Sequence, residues 1–314
     1  MIVHKRPNTM SLVTLPVFNR YARPAKLHPK PRRMKKTMFE FLTLIGISYV
    51  VLFIALTVFQ RSVMYFPDRQ VPPPPPGVSV VTIETADGLA IPAWYQPPAN
   101  DEAPIIVWFH GNAGNVSYFW AQASMLTRDG AGLLMPEYRG YGEAPGSPSE
   151  AALVADGKAF VADLLAQGVS PERIVVYGLS LGSGIAVQVA ADAAVNGAPL
   201  AGVVLESPYS STLDIAQWRF PVFPVALVMK DTFKSTDFIA QIHTPLLVLH
   251  GTDDGIIPYR FGQKLFSAAV APKEFVTIEG GAHVNLFGPG MIGSDGRPVL
   301  AHVLEFLNWD KAAD

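Results

Sequence analysis

The chain contains no cysteine. That absence removes disulfides, thiolate zinc sites, iron–sulfur clusters and cysteine nucleophiles from consideration. It leaves the redox compartment open, because a chain without thiols is indifferent to it. Charge is scarce too: Asp, Glu, Lys and Arg make up 16% of the 314 residues, against 49% hydrophobic ones. A chain that apolar is not intrinsically disordered. The formal net charge of −2 offers no general electrostatic footing for nucleic acid. The length suits either two small domains or one large α/β domain with additions.

Two local absences divide the chain. Residues 1–38 hold ten Lys/Arg and no acid, whereas residues 61–314 hold 14 basic and 25 acidic residues, a formal charge of −11. Between them, residues 41–59 (FLTLIGISYVVLFIALTVF) carry no charge. As a helix this run is about 28 Å long, enough to cross a hydrocarbon core. It has no polar face, which argues against a buried core helix. A cleaved signal peptide is the better rival, but its apolar region runs to about 7–15 residues and ends in a small-x-small site. Here Val58-Phe59-Gln60-Arg61 follows instead. An uncleaved transmembrane helix over 41–59 is therefore expected. The basic flank, a poorly ordered segment over 1–38, should stay cytoplasmic and the bulk of the chain should lie on the non-cytoplasmic side. In a bacterium that means an inner-membrane anchor and a periplasmic domain. Met34-Lys35-Lys36 would itself make a natural start for a membrane-targeted chain. Residues 60–77 read as a juxtamembrane spacer. Its five consecutive prolines, Pro72 to Pro76, favour a polyproline II rod of about 15 Å.

From residue 78 to 314 short apolar runs alternate with helical patterns. Strands are expected near 79–84, 89–95, 104–110, 132–136, 173–177, 202–206, 245–250 and 274–278. Helices are expected near 115–128, 149–167, 181–195, 259–270 and 298–308. Runs such as Ile105-Ile106-Val107-Trp108-Phe109 are apolar on both faces, as strands in a helix-covered parallel sheet must be. The alternation predicts one doubly wound α/β domain. Residues 207–242 interrupt it. With Pro208, Pro221 and Pro224 beside Trp218, Phe220 and Phe223, this stretch is too long for an ordinary αβ connection. It reads as a short cap over the strand ends, with Trp218 and Phe220 as candidate pocket residues. A packed helical insertion with no role in binding is the alternative.

Gly178-Leu179-Ser180-Leu181-Gly182 fits the G-x-S-x-G nucleophile elbow. The motif alone is weak, but a strand pattern precedes it and an alanine-rich helix pattern follows. Such a turn forces the central residue into strained backbone geometry and crowds its neighbours, hence glycine at 178 and 182. It lifts the serine hydroxyl above the sheet at a helix N-terminus, and the N–H of Leu181 becomes one oxyanion donor. A serine nucleophile needs a base. Of seven histidines, His283 in Gly280-Gly281-Ala282-His283 follows the last strand, where the chain order Ser, acid, His puts the base. His110 and His250 each end a strand in a His-Gly pair, which suits a structural turn. The acid should follow an intervening strand. Asp253 and Asp254 both qualify, and spacing alone does not choose between them.

His250-Gly251-Thr252-Asp253-Asp254-Gly255-Ile256-Ile257-Pro258 resembles the H-G-x-x-D-x-x-[VI]-P segment of α/β-hydrolases, which implies Asp254 as the acid. His110-Gly111-Asn112-Ala113-Gly114-Asn115, Tyr138-Arg139-Gly140-Tyr141-Gly142, Gly146-Ser147-Pro148-Ser149-Glu150 and Glu206-Ser207-Pro208 are similar to segments of membrane-anchored ABHD-type serine hydrolases and their bacterial relatives. The resemblance runs over about residues 60–310. It implies an α/β-hydrolase fold with a mostly parallel sheet of about eight strands, and a second oxyanion donor at the N–H of Asn112. One departure is Val284, which separates His283 from Asn285 where relatives often have the pair adjacent.

The expected function is a membrane-anchored serine hydrolase acting on a small or lipid-like acyl ester or thioester, with Ser180, Asp254 and His283 as the triad. No metal or organic cofactor and no nucleic-acid partner is expected, since no His/Asp/Glu group has ligand spacing. A peptidase or amidase, an acyltransferase on the same triad, and a catalytically silent anchored interaction protein are the alternatives. Haloalkane dehalogenase chemistry would need a carboxylate at position 180.

Overall fold

Strands that are apolar on both faces must be covered on both, and the sheet of this chain lies between two helical layers. The computed structural model describes residues 31–284, 286–288 and 290–308. The first elements are α1 (Pro31–Val58), α2 (Gln60–Met64), β1 (Phe66–Pro67), β2 (Ser79–Glu84), β3 (Ala90–Gln96) and β4 (Ile105–Phe109). They are followed by β5 (Ala113–Gly114), α3 (Val116–Ala123), β6 (Gly132–Pro136), α4 (Glu150–Ala166), β7 (Ile174–Leu179) and α5 (Leu181–Val195). The chain continues through β8 (Gly202–Glu206), α6 (Thr212–Arg219), β9 (Leu246–Gly251), α7 (Tyr259–Ala268), β10 (Lys273–Ile278) and α8 (Val299–Leu307).

Eight strands form one sheet in the order β10-β9-β8-β7-β4-β6-β3-β2. From β10 to β6 every pairing is parallel, and β3 and β2 close the far edge antiparallel. Alternate residues of one strand serve opposite faces. Ile105, Val107 and Phe109 join a core with Leu153, Ile185 and Leu265 of α4, α5 and α7, while Ile106 and Trp108 join another with Val116 and Val303 of α3 and α8. The chain leaves β4 for β6 on one side, then returns past β4 to β7 on the other. This makes the carboxyl ends of β4 and β7 a topological switch point, where such sheets bind ligands. Phe109 is the register partner of Gly178, so the loops after these two strands lie side by side.

The N-terminal segment departs from expectation. Residues 1–30 lie outside the described residues, but from Pro31 the basic stretch is already helical, so residues 31–38 belong to α1. Lys, Arg and Met are good helix formers, and proline is tolerated in the first turn, where its missing N–H has no partner to lose. Within α1, Met34–Val58 is a candidate membrane span of 25 residues with mean hydropathy 2.5.

The residues up to Leu52 and those from Phe53 onward form separate units. In the second, residues 60–71 are packed rather than a free spacer. Tyr65 is buried in the core, and Phe66-Pro67 pairs with Ala113-Gly114. Asn115 Nδ2 donates to the carbonyls of Asp68 (3.3 Å) and Gln70 (3.0 Å). Arg61 makes a two-pronged ion pair with Asp231 (2.7 and 3.0 Å). A segment carrying Tyr65 and Val71 buries apolar surface where a neighbouring loop offers a seat.

Candidate active site

The G-x-S-x-G turn is built as tightly as its glycines suggest. A Cβ at Gly182 would run into the carbonyl oxygen of Phe109, and one at Gly178 into the backbone of Gly182 and Ser183. Ser180 itself sits at φ 52°, ψ −115°, a region that L-residues enter only under constraint. Its amide donates to the carbonyl of Glu206 in the next strand (2.9 Å), which holds the turn down on the sheet. The same strain recurs at Ser207 (φ 47°), whose hydroxyl donates to the carbonyl of His283 (3.1 Å).

Three side chains from three strand ends meet there. Ser180 Oγ lies 2.8 Å from His283 Nε2, and His283 Nδ1 lies 2.8 Å from Asp254 Oδ2. The bonds are satisfied when Nδ1 carries the proton and Nε2 accepts from the hydroxyl. All three residues are largely buried. The other oxygen of Asp254 accepts from the amides of Ile256 (2.9 Å) and Ile257 (2.7 Å). Burial pushes the Asp254 carboxyl up, but hydrogen bonds from His250 and His283, the charge of His283 and the Ile257 amide outweigh it. Its pKa is held well below the usual carboxylate range. Asp253, the neighbour that spacing does not exclude, is exposed, and its carboxylate makes no ion pair with a histidine among the described residues.

The loop after β4 lies beside the elbow. Tyr138 donates to the carbonyl of His110 (2.7 Å) and Tyr141 to that of Asn112 (2.7 Å), so the Tyr138-Arg139-Gly140-Tyr141-Gly142 segment braces this loop. His110, stacked 3.9 Å from Tyr138, bonds Glu137 (3.0 Å) and is wholly buried. Asn115 caps α3 by accepting from the Ser117 amide (3.0 Å). Leu181 is the first residue of α5, where the N–H has no intrahelical acceptor. Asn112, Ser180 and Leu181 line one end of a cavity of about 260 Å³. Its remaining wall is almost entirely apolar.

Several of the lining residues come from elements that spacing had assigned elsewhere. Phe53 and Leu56 of α1 and Val63 and Met64 of α2 line the cavity together with Ile215 and Phe220. Trp218, expected beside Phe220, is not among them. Thr212, Ile215 and Ala216 of α6 face the cavity, and position 218 lies roughly a third of a turn further round. It is part-exposed, with the Arg260 guanidinium 5.7 Å from its ring centroid.

Two buried groups near the site, His250 and Glu206, stood out in the sequence only as a turn residue and as part of a matching segment, with no role at the site. His250 reaches Asp254 Oδ2 at 3.3 Å and the carbonyl of Ile257 at 3.0 Å, so Asp254 faces two imidazoles. Glu206, wholly buried, accepts from Tyr177 (2.6 Å) and Gln122 (2.7 Å) through Oε2, while Oε1 has no partner among the described residues. Burial raises its carboxyl to about 7, against the opposing pull of Tyr177, Gln122 and the charge of His283.

Comparison with known proteins agrees with this architecture. The family model for the alpha/beta hydrolase fold matches residues 104–224. An uncharacterised protein of Mycobacterium tuberculosis is 35% identical over 256 residues, covering 79% of this chain and 87% of its own. A lysophosphatidylserine lipase from Danio rerio is 29% identical over 195 residues, 57% of this chain and 51% of that protein. The solved structure of an esterase from Pyrococcus furiosus superposes with a TM-score of 0.59 at 21% identity, covering 78% of this chain and 98% of its own. The chain belongs to the α/β-hydrolase superfamily. Fold and relatives together make it a hydrolase.

Proposed function

We propose that this chain is a membrane-anchored serine hydrolase that cleaves acyl esters or thioesters through Ser180, His283 and Asp254. The observation that carries the reading is the continuous line from Ser180 Oγ to His283 to Asp254, with both bonds at 2.8 Å, opening on an apolar cavity. Ser180 Oγ attacks the acyl carbonyl carbon as its proton passes to His283 Nε2. The oxyanion that forms is held by the N–H groups of Leu181 and Asn112, each worth around 3 kcal/mol to the transition state. His283 returns the proton to the leaving oxygen or sulfur, which departs and leaves an acyl-Ser180 ester. Water then repeats the sequence, giving its proton to His283 and releasing the carboxylic acid. Asp254, ionised and fixed by two backbone amides, holds His283 in the tautomer that the first step needs.

The anchor is the span Met34–Val58, whose length and composition suit a bilayer crossing. The ten basic residues of the first 38 favour a cytoplasmic N-terminus and a hydrolase domain on the other side.

The reading is tested by fluorophosphonate labelling of the full chain in detergent, read by intact mass. One adduct is expected on the wild type and none on Ser180→Ala. Labelling of the Ala variant, or none on a folded wild type, overturns Ser180 as the nucleophile.

A further inference from the structure

The cavity in front of Ser180 is completed by the chain that leads out of the candidate membrane span. Phe53, Leu56 and Thr57 belong both to that span and to the cavity wall, and Gln60, Val63 and Met64 of α2 continue the wall. This placement is secured at several points. The Phe53 ring stacks on Phe223, with centroids 5.9 Å apart and planes 7° from parallel. Gln60 donates to the carbonyl of Val228 (3.2 Å) and accepts from the amide of Lys230 (2.8 Å). One residue on, Arg61 forks onto the buried Asp231 carboxylate, whose own carbonyl accepts from Thr212 (2.8 Å). The end of α1, α2 and the segment after β8 are therefore held together, and they line the same cavity as Ser180, Asn112 and Leu181.

Resting on the reading of Ser180 as nucleophile, we propose that the end of α1 is part of the substrate site. Phe53 and Leu56 contact the acyl chain and set the length the enzyme accepts, and the substrate is a membrane-resident ester or thioester of a long unbranched acyl chain. Two observations point to that chemistry. Beyond Ser180 and Asn112 the polar side chains of the wall, Thr57, Gln60, Tyr209 and Thr212, already donate to backbone carbonyls, and an apolar wall discriminates among substrates by the apolar area it covers. The wall is also contributed by Phe53, Leu56 and Thr57, which the candidate span includes, so an acyl chain in the cavity would lie against residues whose composition suits lipid. A mere tether would leave the site complete without these residues.

Each methylene that enters such a wall improves binding about fourfold. The experiment uses the full chain in detergent micelles and p-nitrophenyl esters from acetate to dodecanoate. For the wild type, kcat/KM is expected to climb by about that factor per added methylene and then level off. Leu56→Trp, which fills the cavity, should lower the octanoate-to-acetate ratio of kcat/KM at least tenfold and move the plateau to shorter chains. Phe53→Ala should move it to longer ones. Val50→Trp, an exposed position on the same helix, should leave the profile unchanged. An identical chain-length profile in Leu56→Trp, Phe53→Ala and wild type overturns the inference, provided that the esters are turned over. Absence of ester turnover in a wild type that also escapes the fluorophosphonate is instead a failure of the Ser180 reading. The two failures are thereby distinct.

Discussion

Asp254 offers one oxygen to two imidazoles and the other to two amides, and no neutral side chain can replace it in that position. Asparagine there presents an N–H₂ where an acceptor is needed, either toward His283 or toward the amides. On the proposed mechanism Asp254→Asn should lower kcat by about 10³–10⁴-fold. Asp253→Asn, at an exposed carboxylate, should stay within about twofold, a range ordinary for a surface change. Steady-state kinetics on both variants decides the matter, and equal losses would reject Asp254.

Glu206 yields a prediction of a different kind. Its folded-state pKa of about 7 stands above the ordinary glutamate value of 4.5. Between those values the native state keeps a proton that the unfolded chain has already lost, so stability falls as pH rises through the window. The total is on the order of 3 kcal/mol. Glu206→Gln cannot ionise and still accepts from Tyr177, so this share of the pH dependence should vanish. Thermal unfolding in detergent should give the variant a higher Tm than wild type at pH 8, with the gap closing by pH 5. A gap that does not vary with pH would rule out a proton retained on Glu206 in the native state.

At the scale of the element, the elbow shows how local chemistry and packing cooperate. The glycines at 178 and 182 are required because β4 and the start of α5 press against the turn, and the same pressure keeps Ser180 at positive φ. Most of the strands were legible in the sequence because they are doubly apolar runs bounded by turn residues. Even the helix limits around α4, α5 and α7 were close. The packing of residues 60–71 was not. Its signals are single residues: Tyr65, which enters the core, Arg61, whose partner lies 170 positions away, and Asn115, whose partners lie 45 and 47 positions away, and no periodicity reports such contacts. The pair Arg61–Asp231 is testable. Arg61→Ala leaves a buried carboxylate facing no cation, which should destabilise the fold by about 1–2 kcal/mol, discounted for the half-exposed arginine. Asp231→Asn paired with Arg61→Ala should recover most of the loss. A double-mutant cycle with no coupling would mean that the pair does not hold α2 in place.

At the scale of the whole molecule the open question is sidedness, and the lack of cysteine makes it experimentally clean. Single cysteines can be placed at Ser11 in the basic segment and at Val270 on the exposed face of the domain. With a membrane-impermeant maleimide on intact cells, Val270→Cys should be labelled and Ser11→Cys only after lysis. The reverse pattern would invert the proposed orientation.

The features that depend on neighbours along the chain could be read from the amino acids. Apolar strands separated by helical periods allow only a covered parallel sheet, the glycine-flanked serine marks a strand-to-helix elbow, and the charge-free run follows from residue count and composition. Chain order also nominated Ser180, His283 and Asp254 as candidates, though it left Asp253 open until the resemblance was weighed. What surrounds them was set by packing between distant segments. It turned Asp254 toward His283 and Asp253 toward solvent, and it buried Glu206 and His250 beside the same loop. It also carried Trp218 off the cavity and brought Phe53 and Leu56 onto it. The physical reason is that side-chain direction and desolvation are properties of packed surfaces, assembled from segments whose separation along the chain leaves no trace in local pattern.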